Sequence, residues 1–242
     1  LIAAGKIDDA YKLIRQENPF PAVCGRVCTH PCETVCRRAQ VDEPLAIADL
    51  KRYAADYVLG KDEPFTDLVF PKNGKSIGII GSGPSGLTCG YYLSRLGYDV
   101  AVYEKSPVVG GLLATGIPEY RMPKEMLEKE INSMKQVGVN IITNVEIGEE
   151  LSFQELKEKH DAIYIATGSQ KPMNIGIENE QLPNIYPGLD FLRDVTLGKI
   201  KKIDGVVAVI GGGNTAVDAS RVALRLGAQE VNILYRRTVD EM

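Results

Sequence analysis

The sequence is poor in the features that mark membrane, secreted or nucleic-acid-binding proteins. No apolar run is long enough to span a bilayer, and the N-terminus is a polar amphipathic stretch rather than a basic segment followed by an apolar one. The net charge of −4 gives no general attraction to nucleic acid or to membrane surfaces. We therefore expect a cytoplasmic protein without a signal peptide that binds neither nucleic acid nor membrane.

The length limits how many domains the chain holds. Its 242 residues suffice for one large or two ordinary domains with ample core. The chain begins at Leu1 rather than Met and stops just after an apparent strand. We therefore expect a fragment of a longer protein, in which sites that need both ends of that protein are incomplete.

Cysteine is concentrated in one short segment. Four of the five cysteines fall within thirteen residues, at Cys24, Cys28, Cys32 and Cys36. In a cytoplasmic chain such clustering favours metal binding over disulfides. Zinc sites favour shorter Cys-x-x-Cys knuckles, so the spacing of four favours an iron–sulfur cluster. For Cys24, the role of an ordinary small buried residue is an open alternative.

A strand, a glycine turn, a helix, a second strand and an acid follow one another over residues 75–105. Gly81 permits the tight turn, Gly83 lets a pyrophosphate approach the backbone, and Gly86 lets the helix pack close to the strand. The helix N-terminus offers free N–H groups to phosphates. Glu104, after the second strand, is placed to accept hydrogen bonds from a ribose. The complete turn comprises Gly81, Ser82, Gly83, Pro84, Ser85 and Gly86.

A second copy of this pattern occupies residues 206–237. An apolar run leads into a turn in which Gly211 and Gly213 take the first two glycine positions, and Ala216 takes the third. A helix and another strand follow. The pattern predicts a second dinucleotide, bound on Gly213, Asn214, Thr215 and Ala216.

The residues that end the two copies differ in charge. The first copy ends in Glu104, whereas the second ends in Arg236 and Arg237. An acid favours a ribose hydroxyl, and arginines favour a ribose 2′-phosphate with bidentate geometry. We therefore predict FAD or NAD at the first turn and NADP(H) at the second.

The chain between the two turns carries further candidate cofactor contacts. Gly110 and Gly111 allow close approach of the backbone to a ligand. Arg121 is the one fixed positive charge in the loop over 106–123. Thr167 and Gly168 follow a predicted strand, where small residues let the backbone pass close to a bound cofactor.

The remaining periodicity completes an α/β organisation. It predicts helices over 1–18, 45–59, 123–137 and 153–159, strands over 139–143 and 161–166, and a linker over 61–74. The predicted fold is two Rossmann-like dinucleotide-binding domains preceded by a small α-helical iron–sulfur module. We place the helical module with its linker at 1–72, the first part of an FAD-binding domain at 73–195, and the start of an NAD(P)-binding domain at 196–242.

Five motifs together resemble one family of redox proteins over nearly the whole chain. They are GSGPSGL, EKSPVVGGLLATGIPEYRMP, IATGS, GGGNTAVDAS and YRR. They are similar to the small (beta) subunit of NADPH-dependent glutamate synthase. They are equally similar to the N-terminal half of dihydropyrimidine dehydrogenase and to the large subunit of NADH-dependent ferredoxin:NADP oxidoreductase.

The resemblance implies a set of cofactors and the residues that bind them. By this resemblance, FAD lies over 81–86 with Glu104 on its ribose. The cofactor is lined by Arg121 and by the run 104–112, which includes Lys105 and Leu112. Val27 touches the flavin. NADP(H) is the substrate bound at the second turn, with Arg236 and Arg237 on its phosphate. Two 4Fe-4S clusters lie near the flavin.

The cluster ligands match the family only in part. Cys28, Cys32 and Cys36 match ligands of a cluster, and Cys24 matches a position that need not ligate. The other cluster cysteines of the family lie upstream of Leu1. Lys51 stands where relatives use Gln or Glu as a ligand, and an ammonium group has no lone pair to give.

The function that follows is a flavin-dependent NAD(P)H oxidoreductase module. Hydride is exchanged between NADPH and FAD, and electrons pass to iron–sulfur clusters and a partner subunit or domain of a hetero-oligomer. No side chain requires the role of acid, base or nucleophile, so no catalytic residue is predicted. The alternative is a non-catalytic electron-relay or assembly subunit. A weaker alternative, an FAD-dependent disulfide reductase, needs a Cys-x-x-Cys pair that the sequence lacks.

Overall fold

The computed structural model describes residues 1–61, 65, 67–172 and 174–238. Within these residues the chain forms two compact units. The first comprises Leu1–Gly110 and Glu119–Ala166, and the second comprises Gly111–Pro118 and the chain from Thr167 onward. None of the described helices is both long and apolar enough to cross a membrane.

The first unit opens with four helices: α1 (Ile7–Glu17), α2 (Pro21–Val27), α3 (Pro31–Thr34) and α4 (Ile47–Leu59). The single helix predicted over 1–18 is interrupted at Gly5, which has φ 71° and separates α1 from a 3-10 turn at Ile2–Ala4. Helices α2 and α4 approach closely at Gly25. A Cβ on Gly25 would lie 2.7 Å from Arg52 Cβ and 2.9 Å from Arg52 Cα.

A parallel four-stranded sheet forms the rest of the first unit, in the order β3-β2-β1-β4. Its strands are β1 (Ser76–Ile80), β2 (Asp99–Glu104), β3 (Val139–Thr143) and β4 (Ala162–Ile165). Helix α5 (Pro84–Arg95) connects β1 to β2. The short helix α6 (Leu112–Thr115) belongs to the second unit, and α7 (Lys124–Gln136) and α8 (Phe153–Lys159) flank β3 along the chain. This alternation of strand and helix confirms the predicted first dinucleotide fold.

The second unit repeats the arrangement with fewer strands. Helix α9 (Gly188–Thr196) precedes β5 (Val206–Ile210), α10 (Asn214–Arg225) and β6 (Glu230–Leu234). Strands β5 and β6 pair in parallel, with Val206 opposite Glu230 and Ile210 opposite Leu234. The core of this unit lies between α9 and α10 and comprises Phe191, Leu192, Ala219, Val222, Ala223 and Ala228.

The segment predicted as a linker, 61–74, is attached to the first unit. The backbone N–H of Phe70 donates to the Arg95 carbonyl at 2.7 Å, and that of Asn73 donates to the Gly97 carbonyl at 3.0 Å. Positions 62–64 and 66 lie outside the described residues. The helical segment and the first dinucleotide fold therefore make one compact unit, and the boundaries at 72/73 and 195/196 stay a prediction about domains.

Candidate functional site

The geometry of the first turn explains why glycine occupies each of its three glycine positions. Gly81 has φ 103°, a conformation that favours glycine. A Cβ on Gly86 would lie 2.0 Å from the Gly81 carbonyl oxygen, so only glycine lets α5 begin this close to the turn. Gly83 differs from both, because a Cβ there would meet no atom within 4 Å. The space beside Gly83 is open, as a site for a pyrophosphate requires.

The N-terminus of α5 faces this open space. Gly83 is its N-cap, Pro84 occupies the first turn, and no described side chain caps the helix. The first N–H groups of a helix have no partner within the helix, and they carry the positive end of the helix dipole. The turn and the helix start therefore form an anion-binding site.

Glu104 lies directly beside the turn at the end of β2. Glu104 is buried, with 9% of its surface exposed. Glu104 Oε2 accepts hydrogen bonds from the Ser82 backbone N at 2.8 Å and from Ser82 Oγ at 2.7 Å, and Oε1 accepts one from the Ser106 backbone N at 2.8 Å. A carboxylate accepts about four hydrogen bonds, so acceptor capacity remains for a ribose hydroxyl. The open glycine, the uncapped helix and the buried acid fit an FAD dinucleotide.

The other predicted FAD contacts are divided between the two units. In the first unit, Gly110 donates its N–H to the Ser82 carbonyl at 3.1 Å, and half-buried Arg121 precedes α7. Val27 is the half-buried last residue of α2, and Lys105 Nζ lies 3.7 Å from Glu146 Oε1 at the surface. Gly111, Leu112, Thr167 and Gly168 belong to the second unit.

The turn in the second unit has the same design. Gly211 has φ 127°, and a Cβ on Gly213 would meet no atom within 4 Å. Gly213 is the N-cap of α10, without a side-chain cap among the described residues, and Asn214, Thr215 and Ala216 form the first turn of that helix. These residues fit the phosphates of a second dinucleotide.

The arginine pair of the second unit lies just beyond β6. Arg236 and Arg237 are both exposed. The ring of the preceding Tyr235 lies against the turn, where a Cβ on Gly212 would come within 2.7 Å of it. Parallel strands bring the end of β6 beside the end of β5, so the arginines follow the strand that borders the glycine turn.

The four clustered cysteines lie in and after α2. Burial raises the pKa of the Cys24 thiol, against the opposing effect of the nearby Lys51 ammonium. Cys28 and Cys32 are exposed. Backbone N–H groups, that of Leu45 foremost, hold the pKa of the Cys36 thiol below its usual value. Hydrogen bonds of this kind also tune cluster thiolates.

The described cysteines do not by themselves build a closed cluster site. No three Cys, His, Asp or Glu side chains in the described part of the chain come together in a metal-binding arrangement. The assignment of Cys24, Cys28, Cys32 and Cys36 as cluster ligands therefore stays a prediction.

Some hydrogen bonds of the first unit were not predicted from the sequence. Glu130 Oε1 and Oε2 accept hydrogen bonds from the backbone N–H groups of Ala22 at 2.6 Å and Val23 at 3.1 Å. In the sequence, the contact of Glu130 was indicated by the position of this acidic residue on the apolar face of α7, between Leu127 and Ile131. The Ser106 N–H that binds Glu104 is a backbone group and left no signal in the sequence.

Fold and site together define a dinucleotide-binding oxidoreductase chain. Residues 75–239 match the family model described as pyridine nucleotide-disulphide oxidoreductase, and the chain belongs to that family. Residues 1–63 match the model described as dihydropyrimidine dehydrogenase domain II, 4Fe-4S cluster. The two matches confirm the predicted fold class and the predicted cofactor classes, a flavin with a pyridine nucleotide and a 4Fe-4S cluster.

Curated relatives agree with the resemblance seen in the motifs. The NADPH-Fe(3+) oxidoreductase subunit beta of Geobacter sulfurreducens is 43% identical over 98% of this chain and 36% of its own. The glutamate synthase [NADPH] small chain of Halomonas elongata is 34% identical over 100% of this chain and 54% of its own. The chain thus spans about a third to a half of the relatives' length, and the resemblance to the glutamate synthase small chain is confirmed.

A solved structure shares the fold. FprA of Mycobacterium tuberculosis in complex with NADPH matches with a TM-score of 0.58 and 26% identity, over 69% of this chain and 44% of that chain. The likeness is consistent with a flavin- and nucleotide-binding oxidoreductase fold.

Proposed function

We propose that this chain is the flavin- and nucleotide-binding part of an NADPH oxidoreductase that passes electrons toward iron–sulfur centres. One observation carries the proposal: two glycine turns have the same open middle glycine at an uncapped helix start, but opposite charges beside them. Buried Glu104 accompanies the first, and exposed Arg236 and Arg237 accompany the second. This pairing fits FAD on the first turn and NADPH on the second.

The chain's own residues bind and orient the cofactors. The backbone at Gly83 and the start of α5 hold the FAD pyrophosphate, and Glu104 accepts a hydrogen bond from its ribose. The turn at Gly213 and the two arginines do the same for NADPH. Bound FAD supplies the hydride chemistry and its conversion to single electrons. We assign no described side chain the role of acid, base or nucleophile.

We also propose a partner subunit and a cellular location for this protein. The Geobacter relative is named a beta subunit, which supports an electron-accepting partner subunit in a hetero-oligomer. None of the described cysteines is paired in a disulfide, which is usual in the reducing cytoplasm. We therefore place the protein in the cytoplasm, with NADPH as its soluble substrate.

The arginine pair offers the sharpest test. In the native protein, purified without oxygen, NADPH is expected to bleach the flavin absorption and NADH to do so poorly. Arg236→Ala/Arg237→Ala is expected to raise the NADPH concentration for half-maximal reduction roughly ten- to a hundredfold. This matches the loss of one hydrogen bond to a charged group, about 1.5–3 kcal/mol. The NADH concentration dependence should not change.

A matched control separates phosphate recognition from general charge. Lys201→Ala/Lys202→Ala removes two positive charges from the same unit at the amino end of β5, the opposite edge from the glycine turn, and should behave as wild type. A flavin that neither nucleotide reduces would favour a non-catalytic relay or assembly subunit. A protein without flavin would overturn the assignment of the first turn.

A further inference from the structure

The side chain of Ser82 connects three parts of the first dinucleotide site. Ser82 is fully buried between Gly81 and Gly83. Its hydroxyl donates to Glu104 Oε2 at 2.7 Å and accepts the Gly110 N–H at 3.3 Å. The phosphate turn, the acid at the end of β2 and the glycine-rich loop thus meet at one hydroxyl.

These contacts decide which oxygen of Glu104 is available to a ligand. Among the described residues, Oε2 accepts two hydrogen bonds, both from Ser82, and Oε1 accepts one, from the Ser106 N–H. Each carboxylate oxygen has room for about two. One acceptor position is therefore left, and it lies on Oε1. Ser82 fixes the rotation of the carboxylate that places Oε1 in this role.

Glycine or alanine at position 82 would leave the fold of the turn intact but not this orientation. The Ser82 backbone N–H would still reach Glu104, and the backbone carbonyl would still accept from Gly110. These substitutions remove the hydrogen bond from Ser82 Oγ to Glu104 Oε2. This bond is short and charge-assisted, and such hydrogen bonds are among the stronger ones in proteins. The carboxylate could then rotate about its terminal bond.

We propose that Ser82 is a positioning residue for FAD, acting through Glu104 and Gly110. The inference rests on the proposed FAD site at the first turn. Its hydroxyl holds the ribose-binding acid and the glycine loop in register. The structure therefore adds a specific role for the second residue of the glycine turn, whose side chain the phosphate-binding function of the turn does not require.

The test is FAD affinity, measured on the native protein stripped of flavin. Titration with FAD, followed by quenching of flavin fluorescence, is expected to show a dissociation constant about tenfold higher for Ser82→Ala than for wild type, as for the loss of one charge-assisted hydrogen bond. Ser82→Gly, which also lacks the hydroxyl, should give the same loss and serves as a second variant. Circular dichroism of the flavin-free proteins checks their folding.

A double-mutant cycle gives a readout that a merely structural serine would not move. If Ser82 acts mainly through Glu104, Ser82→Ala should cost clearly less in a Glu104→Gln background than in wild type, because the oriented carboxylate is already gone and only the longer Gly110 contact is lost. Full additivity of the two losses would overturn the proposal. Wild-type affinity in both Ser82 variants would overturn it as well.

Ser133→Ala is the matched control. Ser133 is a buried serine of α7 whose hydroxyl donates to the Glu130 carbonyl at 2.7 Å. The variant Ser133→Ala loses one buried hydrogen bond outside the FAD site, so its FAD affinity should equal that of wild type. An equal loss in Ser133→Ala would mean that general destabilisation explains the effect, against the proposal. Absence of FAD binding in the wild type would instead refute the proposed FAD site itself.

Discussion

Glu130 is a fully buried carboxylate that links α7 to the helix carrying the first cysteine. It accepts hydrogen bonds from the N–H groups of Ala22 and Val23, in the first turn of α2. Burial raises the pKa of Glu130 to about 7, although these hydrogen bonds and the charges of Arg15 and Arg26 act in the opposite direction. The cost of desolvation therefore exceeds the benefit of these favourable partners.

This raised pKa makes the stability of the protein depend on pH. The folded state holds the Glu130 proton more tightly than the unfolded state, whose pKa is near 4.5. Stability from this group is thus complete below about pH 4.5 and is lost as pH rises through 7. In Glu130→Gln this dependence should disappear. As the pH rises from 5 to 8, the free energy of unfolding of the variant, taken relative to that of wild type, should increase by on the order of 2–3 kcal/mol.

Urea unfolding at several pH values measures this difference. Glu128→Gln, an exposed neighbour on the same helix, should keep the wild-type pH dependence because Glu130 is still present. Parallel curves for wild type and Glu130→Gln would contradict the predicted role of the buried carboxylate.

At the scale of residues, the sequence predicted chemistry better than contacts. The glycines of both turns and Glu104 were found because strand, turn, helix and acid follow one another within about 30 residues. The bonds from Ser82 to Glu104, and from Ala22 to Glu130, join positions far apart in the chain. No local pattern encodes such distances, so only the folded structure gives them.

At the scale of elements, glycine sets how closely α2 packs against α4. A Cβ on Gly25 would collide with the Arg52 backbone, so α2 would have to move away from α4. Gly25→Ala should therefore lower the free energy of unfolding by about 1–3 kcal/mol, the usual cost of overpacking. Thermal unfolding of the flavin-free protein measures it.

Gly83→Ala is the matched comparison, since it adds the same methyl group where no atom lies within 4 Å. Gly83 has φ −67°, which alanine adopts without strain. The flavin-free variant should be as stable as wild type, yet its FAD affinity should fall, because the methyl group occupies the space for the pyrophosphate. A neutral Gly25→Ala would contradict the close α2–α4 packing.

Most elements of the two dinucleotide folds were predictable, but the short helix α6 and helix α9 were not. The strand over 139–143 agrees with β3, and the helix over 123–137 agrees with α7 to within a residue. Helix α9 has only nine residues and follows Pro187, without a capping side chain. Its apolar residues Phe191 and Leu192 pack on α10, which is distant in sequence. Tertiary packing therefore defines this helix, and local periodicity does not.

At the scale of the whole molecule, Arg15 ties the helical segment to the first dinucleotide fold. This fully buried guanidinium group of α1 lies 2.8 Å from Asp67 Oδ2. It also stacks over the Tyr91 ring of α5, with its Cζ 4.6 Å from the ring centroid. An arginine held by an acid and an aromatic face gains both charge pairing and cation–π attraction.

Removal of this guanidinium group should weaken both parts together. Arg15→Met leaves the buried Asp67 carboxylate without its partner, which costs about 3–5 kcal/mol. Hydrogen exchange should then accelerate by a similar factor in α4 and in β1, which lie in different parts of the unit. The double variant Arg15→Met/Asp67→Asn should recover part of the loss. Acceleration confined to the helices would show that the two parts unfold independently.

The division of the chain into domains stays a prediction, whereas its elements can be compared with the structure. The sequence places a boundary at 72/73 because residues 61–74 are rich in charge and turn residues. In the structure the helices before that point and the sheet after it form one compact unit. Composition alone does not tell a surface segment from a domain linker, and contacts such as Arg15–Asp67 are visible only in the folded chain.

The bonded network around Ser82 and Glu104 bears on how the protein matures in the cell. The chain itself assembles the cradle, so little conformational entropy is lost when FAD arrives. Ordered contacts of this kind favour a higher affinity for FAD, because less binding free energy is needed to order the turn. Because the contacts around Ser82 and Glu104 lie within the chain itself, they form as the chain folds, and uptake of FAD is then a later and separate step.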